Sequence, residues 1–184
     1  MIDGLTYLPE YLSTEEHDAL WTAVNAESWL DVLKRRVQHY GYRYDYKARR
    51  IDASMRVGEF PEWAENLACR LQHEGLFAEK PDQLIVNEYE AGQGIALHVD
   101  CEPCFSDTIV SISLGSTCVM DFAHRKTKEK KSLLLDVGSL VVLQEAARYD
   151  WQHGIAGRKT DVFFEEVYPR SRRVSLTFRK VLLS

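Results

Sequence analysis

Residues 84–100, which read LIVNEYEAGQGIALHVD, decide the fold and place its chemistry. The apolar run at 84–89 predicts a strand, and a glycine-containing turn leads into a second extended stretch. That stretch ends in His98 and Asp100, which are separated by one residue. On an extended chain these two side chains point to the same side, with backbones about 6.5–7 Å apart. The pair therefore predicts two ligands of a 2-His-1-carboxylate metal site.

A third ligand has to come from farther along the chain, and two histidines are candidates. His153 follows an aromatic stretch and precedes Gly154, which lets the backbone approach closely. His124 opens a Lys/Arg-rich stretch that is typical of a solvated turn. A single histidine is more often structural than a ligand, but the order His-x-Asp, β pattern, His favours His153. Three protein ligands on one face leave three octahedral positions open, which favours iron.

The C-terminal strand, 173–182, offers a partner for an anionic cosubstrate. Polar side chains alternate along it with apolar ones, the polar set being Arg173, Ser175, Thr177 and Arg179. Arginine binds carboxylates through paired, charge-assisted hydrogen bonds, which suits the distal carboxylate of a dicarboxylate such as 2-oxoglutarate. The same alternation is typical of a half-exposed edge strand, so the strand alone leaves both interpretations open.

Two helices are predicted before the β-rich part of the chain. A capping box from Ser13 to Glu16 predicts a helix near 14–26, and a second helix begins near Pro61 and ends at Gly75. Short β-rich runs follow at 84–89, 108–114, 117–122, 132–136, 139–143 and 173–182. This pattern predicts a mainly β member of the α+β class, in which a double-stranded β-helix (jelly roll) carries the N-terminal helices on one sheet.

Composition is that of an ordinary globular protein, with 184 residues, 45% hydrophobic and 28% charged. We therefore predict a single domain over 1–184, with its jelly-roll core at 83–182. No apolar run approaches the ~20 residues that span a bilayer, and no signal peptide is evident. We expect a cytoplasmic protein (nuclear is a further option in a eukaryote) with no membrane partner.

Four cysteines are too few and too scattered for a disulfide scaffold. Cys101 and Cys104 form a C-x-x-C, which we interpret as two incidental thiols in a loop. A zinc site would need two further ligands at suitable spacing. Their position just after Asp100 leaves a minor role in redox sensitivity open.

Four groups of residues together resemble the AlkB family of Fe(II)/2-oxoglutarate-dependent dioxygenases. They are Asn87-x-Tyr89, His98-x-Asp100, His153 and Arg173-x5-Arg179, in the order and spacing of that family. The resemblance implies Fe(II) at His98, Asp100 and His153, with 2-oxoglutarate and O2 as cosubstrates. It also implies that Asn87, Tyr89 and Arg173 bind 2-oxoglutarate, with Arg179 completing the pocket near the chelating end. Ser175, on the same strand face, is a further candidate cosubstrate-binding residue.

Three further segments are similar to the AlkB-type domain of the tRNA wobble-uridine hydroxylases. They are 35–42, 113–116 with 120–122, and 148–155, which extends the resemblance to most of the chain. Those enzymes also carry an RNA-recognition domain and a methyltransferase domain, and nothing in this sequence corresponds to either. The similarity therefore bears on the chemistry more than on the substrate.

Residues 30–58 are basic and rich in tyrosine, in a chain whose formal net charge is −5, and the family places its nucleotide-recognition lid here. From residue 37 to 46, Tyr40, Tyr42, Tyr44 and Tyr46 alternate with other residues, which predicts a strand with one aromatic face. Aromatic rings stack on bases, and cations bind phosphate. The candidates for these two contacts are Tyr42, Tyr44 and Tyr46 for the base, and Arg35, Arg36, Arg49 and Arg50 for the backbone. The alternative is an edge strand whose tyrosines pack on the core.

The resemblance implies a dioxygenase that oxidises alkylated or modified nucleobases in DNA or RNA. The product would be a demethylated base with release of formaldehyde, or a hydroxylated modified tRNA base. Glu102 lies where the family can place an acidic residue near the target base. Two alternatives stay open: the same chemistry on a protein side chain, lipid or small molecule, which the negative net charge slightly favours, and a non-catalytic jelly-roll binding module.

Overall fold

The computed structural model describes residues 2–31, 34–45, 48 and 50–183. Within these residues the chain forms three α-helices, which are α1 (Thr14–Ala26), α2 (Glu62–His73) and α3 (Glu145–Tyr149). The strands in the first part of the chain are β1 (Leu5–Leu8), β2 (Val37–Tyr40), β3 (Gln83–Tyr89), β4 (Ile95–His98), β5 (Phe105–Leu114) and β6 (Cys118–His124). The later strands are β7 (Lys130–Leu135), β8 (Leu140–Leu143), β9 (Trp151–Ile155), β10 (Thr160–Phe163), β11 (Glu166–Pro169) and β12 (Arg173–Val181).

Two antiparallel sheets carry the fold. The major sheet has the strand order β1-β8-β5-β12-β3-β2, and the minor sheet has the order β4-β9-β6-β7. Strands β10 and β11 form a separate hairpin. The predicted double-stranded β-helix with helices before it is therefore confirmed, although the sequence pattern did not resolve β1, β9 or the β10–β11 hairpin.

Strand β12 lies inside the major sheet, paired with β3 on one side and β5 on the other. Its even-numbered residues Val174, Leu176 and Phe178 are buried in an apolar cluster with residues of α1 and α2. Its polar residues therefore face the space between the two sheets. The strand is buried almost throughout, so the edge-strand interpretation is wrong.

The predicted helices are confirmed, and their apolar faces cover the outside of the major sheet. Ser13 caps α1: its hydroxyl accepts a hydrogen bond from the N–H of Glu16, and its own N–H donates to the Glu16 carboxylate. Leu20 and Val24 of α1 join Leu71 of α2 in the apolar cluster on that face. None of the helices in the described residues has the length and apolar composition needed to cross a membrane.

The predicted aromatic strand continues only to Tyr40. Gly41 has φ +72°, and a Cβ there would lie within van der Waals overlap of the Asp82 carbonyl, so the chain must turn away at this glycine. Tyr42 makes only an isolated bridge with Arg56. Tyr46 lies outside the described residues. The expectation of one continuous strand from 37 to 46 is therefore wrong beyond Tyr40.

The apolar face of β12 predicts a large stability cost for Phe178→Ala. Phe178 has no exposed surface and packs beside Phe60, with ring centroids 6.2 Å apart. Truncating a buried phenylalanine removes transfer free energy and leaves a cavity, so the free energy of unfolding should fall by about 3–5 kcal/mol. Urea denaturation measures it. Val162→Ala is the control, because Val162 is exposed and should change stability by less than about 0.5 kcal/mol. Equal effects would refute the assignment of this face as core.

Candidate metal centre and cosubstrate pocket

The inner face of the minor sheet brings together the three predicted metal ligands. His98 on β4 is the direct cross-strand partner of His153 on β9, and Asp100 follows two residues after His98. Each of the three residues offers one ligand atom, and these atoms lie within 4.8 Å of one another. Two imidazoles and one carboxylate converging from one side match the donor set of non-haem iron sites. The structure thus assembles the predicted triad.

Electrostatics prepare this triad for a cation. Burial alone would raise the pKa of Asp100, but the charges of Arg179, His153 and His98 outweigh it and hold the pKa below its ordinary value. Burial, reinforced by His98, lowers the pKa of His153 to about 3. At neutral pH the carboxylate is therefore ionised and the His153 ring neutral, the protonation states that a metal ion requires of its ligands.

Each of two ligands is oriented by a neighbouring group. The Nδ1–H of His98 donates to the carbonyl of Ala96 at 2.8 Å, which leaves Nε2 for the metal. One oxygen of Asp100 pairs with the Arg179 guanidinium at 2.5 Å, and its other oxygen lies 3.5 Å from Nε2 of His153. Arg179 therefore positions the metal-binding carboxylate, which is a more specific role than the predicted one of completing the pocket near the chelating end.

Arg148 holds the backbone that carries the Asp100 ligand. It is one of the largest fully enclosed side chains of the described residues, and its guanidinium donates to the carbonyls of Asp100 at 3.0 Å and Cys101 at 3.3 Å. Arg148 begins the family-like segment 148–155, but its sequence context predicts no role for it. No periodicity signal could have found it, because α3, the helix that carries it, is only five residues long.

Arg173 is the second cation of the pocket and is only 3% exposed. One of its nitrogens donates to the hydroxyl of Ser113 at 2.8 Å, whereas Nε and Nη1 have no hydrogen-bond partner among the described residues. Buried guanidinium donors without acceptors are costly, so they point to a missing anion. Ser113 was not among the predicted site residues, since a lone serine in a strand carries no signal.

The remaining predicted cosubstrate residues line the same cavity, whose volume is about 640 Å³. Asn87 and Tyr89 lie on β3 beside Arg173, and the Tyr89 ring has Arg35 and Arg173 guanidinium carbons within 5.5 Å and 5.7 Å of its centroid. Asn87 accepts a hydrogen bond from Nε of Arg35 at 2.8 Å. The Ser175 hydroxyl also lines the cavity, 3.4 Å from that of Thr177.

The predicted substrate residues divide into two groups. Tyr44, Arg35 and Glu102 line the cavity, and Glu102 pairs with Arg125 at 2.8 Å. Tyr42 and Tyr44 also pack against the apolar cluster between the sheets, the Tyr44 ring lying 5.5 Å from Phe105. Part of the lid is therefore core, as the alternative interpretation held.

Other residues of the lid do not reach the cavity. The Arg36 guanidinium binds the buried carboxylate of Glu88 through two nitrogens, at 2.5 and 2.7 Å, so its predicted phosphate contact is replaced by a structural ion pair. Arg50 bridges to Asp45 through its backbone at the surface. Arg49 and Tyr46 lie outside the described residues.

The two cysteines that follow Asp100 are not free thiols. Cys101 and Cys104 are joined in a disulfide, with their Cα atoms 5.2 Å apart, so the expectation of two incidental thiols is not met.

His124, the alternative third ligand, instead uses Nδ1 to accept the backbone N–H groups of Lys126 and Thr127. That nitrogen stabilises a turn and is occupied.

Replacing His153 with alanine should abolish iron binding. The triad would lose one of its three ligand atoms, so affinity for Fe(II) should fall by more than the roughly 10- to 100-fold caused by losing a residue that only supports a ligand. Anaerobic calorimetric titration with Fe(II) measures this. His124→Ala is the matched control and should retain wild-type affinity. Loss of iron in His124→Ala with retention in His153→Ala would reverse the assignment of the third ligand.

Comparison with known proteins agrees with this geometry. Residues 25–179 match the family described as the 2OG-Fe(II) oxygenase superfamily. The chain is 36% identical to the "Alkylated DNA repair protein ALKBH8 homolog" of Arabidopsis thaliana, over 98% of this chain and 59% of that protein. It is 30% identical to the "Probable RNA/DNA demethylase ALKBH6" of Danio rerio, over 95% of this chain and 84% of that protein.

A solved structure with the same fold is that of OsALKBH1, with a TM-score of 0.71, 18% identity and coverage of 96% of both chains. The chain spans about three fifths of the Arabidopsis relative but most of the Danio relative. The superfamily match covers most of the sequence, and the two relatives named as ALKBH proteins are about a third identical to it over the aligned residues. The chain therefore belongs to the AlkB family of 2OG-Fe(II) oxygenases.

Proposed function

We propose that this protein is an AlkB-type dioxygenase that oxidises alkylated or modified nucleobases in nucleic acid. The family implies Fe(II), 2-oxoglutarate and O2 as cofactor and cosubstrates. One observation carries the proposal: two donors of the buried Arg173, which have no partner in the described part of the chain, share a cavity with a His-Asp-His triad. The names of the Arabidopsis and Danio relatives refer to alkylated DNA and to RNA/DNA demethylation, which supports a nucleobase as the target.

The residues present fit an iron ion. His98, Asp100 and His153 would hold it, since an ionised carboxylate and neutral imidazoles are its usual ligands. The Asp100 carboxylate is buried and ionised, with one oxygen paired to Arg179, so a cation bound at its second oxygen adds a favourable interaction in a site of low dielectric. Arg179 keeps the carboxylate from rotating, and Arg148 fixes the backbone that carries it.

The residues also fit 2-oxoglutarate. Arg173 would bind the distal carboxylate with its two partnerless nitrogens, and Ser113 holds the guanidinium in place. Among the described residues, four arginines line the cavity against two carboxylates, so its charge suits a dianion. Arg35, which donates to Asn87, is one of these lining arginines.

The chemistry that bound Fe(II) supplies is oxidation of a C–H bond, coupled to conversion of 2-oxoglutarate and O2 into succinate and CO2. A hydroxylated N-methyl group then releases formaldehyde and leaves the unmodified base. A carbon without that nitrogen linkage keeps its hydroxyl group. Tyr44 and Glu102 line the cavity toward the lid, where they would contact the base.

The role of Arg173 predicts a selective loss of cosubstrate binding in Arg173→Gln. Losing a charge-assisted contact of about 1.5–3 kcal/mol should raise the KM for 2-oxoglutarate about 10- to 100-fold, with Fe(II) affinity unchanged. Succinate release at varied 2-oxoglutarate measures it. Arg172→Gln is the matched control, because the adjacent guanidinium points away to Glu88 and stacks on Trp21. An unchanged KM in Arg173→Gln would contradict the assignment.

The target class predicts which compounds stimulate turnover. With Fe(II), O2 and 2-oxoglutarate present, methylated oligonucleotides or tRNA should increase succinate release, and mass spectrometry of the nucleosides should show a demethylated or hydroxylated base. The Asp100→Ala variant is the control for turnover without the metal site. Active enzyme that none of these nucleic acids stimulates would favour a protein, lipid or small-molecule substrate instead.

A further inference from the structure

The turn between β6 and β7 concentrates positive charge that the proposed reaction does not use. Residues 125–131, here called the basic turn, hold five cations and one acid in a chain of net charge −5. The cations are Arg125, Lys126, Lys128, Lys130 and Lys131. A charged run at a turn is ordinarily a solvated surface, so the run needs a second observation before it indicates a partner.

The basic turn has a defined conformation. The N–H of Lys128 donates to the His124 carbonyl at 3.0 Å, and that of His124 donates to the Glu129 carbonyl at 2.9 Å. The His124 ring also accepts two N–H groups of the turn. At its start, the Arg125 side chain donates to the Tyr149 carbonyl and to Glu102 at the cavity mouth. The backbone that carries these cations is thus held in one conformation, and Arg125 also lines the cavity.

A groove of about 890 Å³ runs across the minor sheet from this turn to the lid, and we call it the outer groove. Lys130 and Lys131 line it at the β7 edge, and Lys34 and Arg35 line it on the β4 side. Four strands at about 4.8 Å spacing place these two edges roughly 14 Å apart. Long basic side chains that extend from both edges reduce the distance between the charges. Asp121 is the one carboxylate among its lining residues, and it is hydrogen-bonded to Ser132.

The floor of the outer groove is made of small residues. Those along its strands and loops are Gly92, Gly94, Ala96, Ala123, Gly154, Ala156 and Gly157. Packing of β4 against β9 enforces part of this floor: a Cβ at Gly94 would lie 2.1 Å from the Ile155 carbonyl, and one at Gly154 would lie 2.8 Å from the Ile95 carbonyl. A chain lying in the groove therefore meets backbone below and cations at both edges.

The outer groove adjoins the catalytic cavity along β4, the edge strand of the minor sheet. Five of the described residues line both, namely Arg35, Ile95, Ala96, Leu97 and Ile155. A polymer with one unit inside the cavity would reach the groove by crossing the β4 edge. Arg35 also donates to Asn87 and Lys131 pairs with Glu129 at 3.1 Å, whereas Lys34 and Lys130 have no carboxylate partner among the described residues. The net positive lining suits a polyanion, whereas a protein partner would be expected to meet a more apolar and less charged centre.

We propose that the outer groove and the basic turn bind the phosphate backbone of a single-stranded nucleic acid whose target base lies in the catalytic cavity. This inference rests on the proposed function and names the surface that holds the substrate. A single strand is the form in which a base enters a cavity at least energetic cost. Sequence-independent backbone contacts would thereby supply affinity that the partly buried lid tyrosines do not.

The test compares the salt dependence of nucleic-acid binding in the wild type and in the double variant Lys126→Gln/Lys130→Gln. Neither lysine pairs with a carboxylate in the described part of the chain, so substitution removes charge without breaking an ion pair. Fluorescence anisotropy with labelled single-stranded RNA and DNA of one sequence, about ten nucleotides long, measures affinity. Each lost phosphate contact should reduce the slope of log K against log salt by about 0.7, so the double variant should lose about 1.4.

A matched double variant, Lys80→Gln/Lys180→Gln, removes the same charge far from the groove and should keep the wild-type slope, because those lysines pair with Glu65 and Asp82. Equal thermal unfolding midpoints exclude misfolding as the cause. Wild-type binding with the same slope in both double variants overturns the groove but leaves the proposed function standing. If the wild type does not bind either oligonucleotide, the proposed role of the groove is wrong. Succinate release that nucleic acid does not stimulate would separately contradict the proposed function. The RNA and DNA arms show which polymer it prefers.

Discussion

The groups between the two sheets are arranged around one buried charge, the carboxylate of Asp100. An ionised group is expensive to bury unless opposite charge and polar groups surround it, and here the Arg179 guanidinium pairs with it while the rings of His98 and His153 lie beside it. Those neighbours come from β12, β4 and β9, so the charge joins the two sheets electrostatically. The same arrangement that compensates the carboxylate also directs it toward a cation. Stability and metal binding are therefore coupled at one residue.

The two faces of strand β12 line two different buried regions, the apolar cluster and the cavity. Phe178 and its even-numbered neighbours complete the cluster under the helices, while Arg173 and Arg179 reach the cavity from the opposite face. Two partner strands hold its register, and Ser113 on one of them binds Arg173. The cosubstrate site is thus built on the best-paired strand of the sheet, where side-chain positions are most restricted.

Much of the site could be predicted because its signals are local and periodic. His98 and Asp100 share a strand face by spacing alone, and the alternation in 173–179 placed both arginines on one side. Arg148, Ser113 and the Arg36–Glu88 pair could not be predicted in the same way, because their partners lie far away in sequence. The alternating pattern in the lid predicted a strand that continues through Gly41. That prediction is wrong because the Asp82 carbonyl lies too close to Gly41 for any side chain there.

The alternation along β12 also bears on how the chain avoids wrong structures. Shifting this strand by one residue against β3 and β5 would turn Arg173 and Arg179 into the apolar layer beneath the helices, and Phe178 toward the cavity. Two unpaired guanidinium groups in an apolar layer would make that misfolded form far less stable than the native one. The arginines placed to bind a small anion therefore also act as a register lock, penalising off-register pairing before any cofactor is bound.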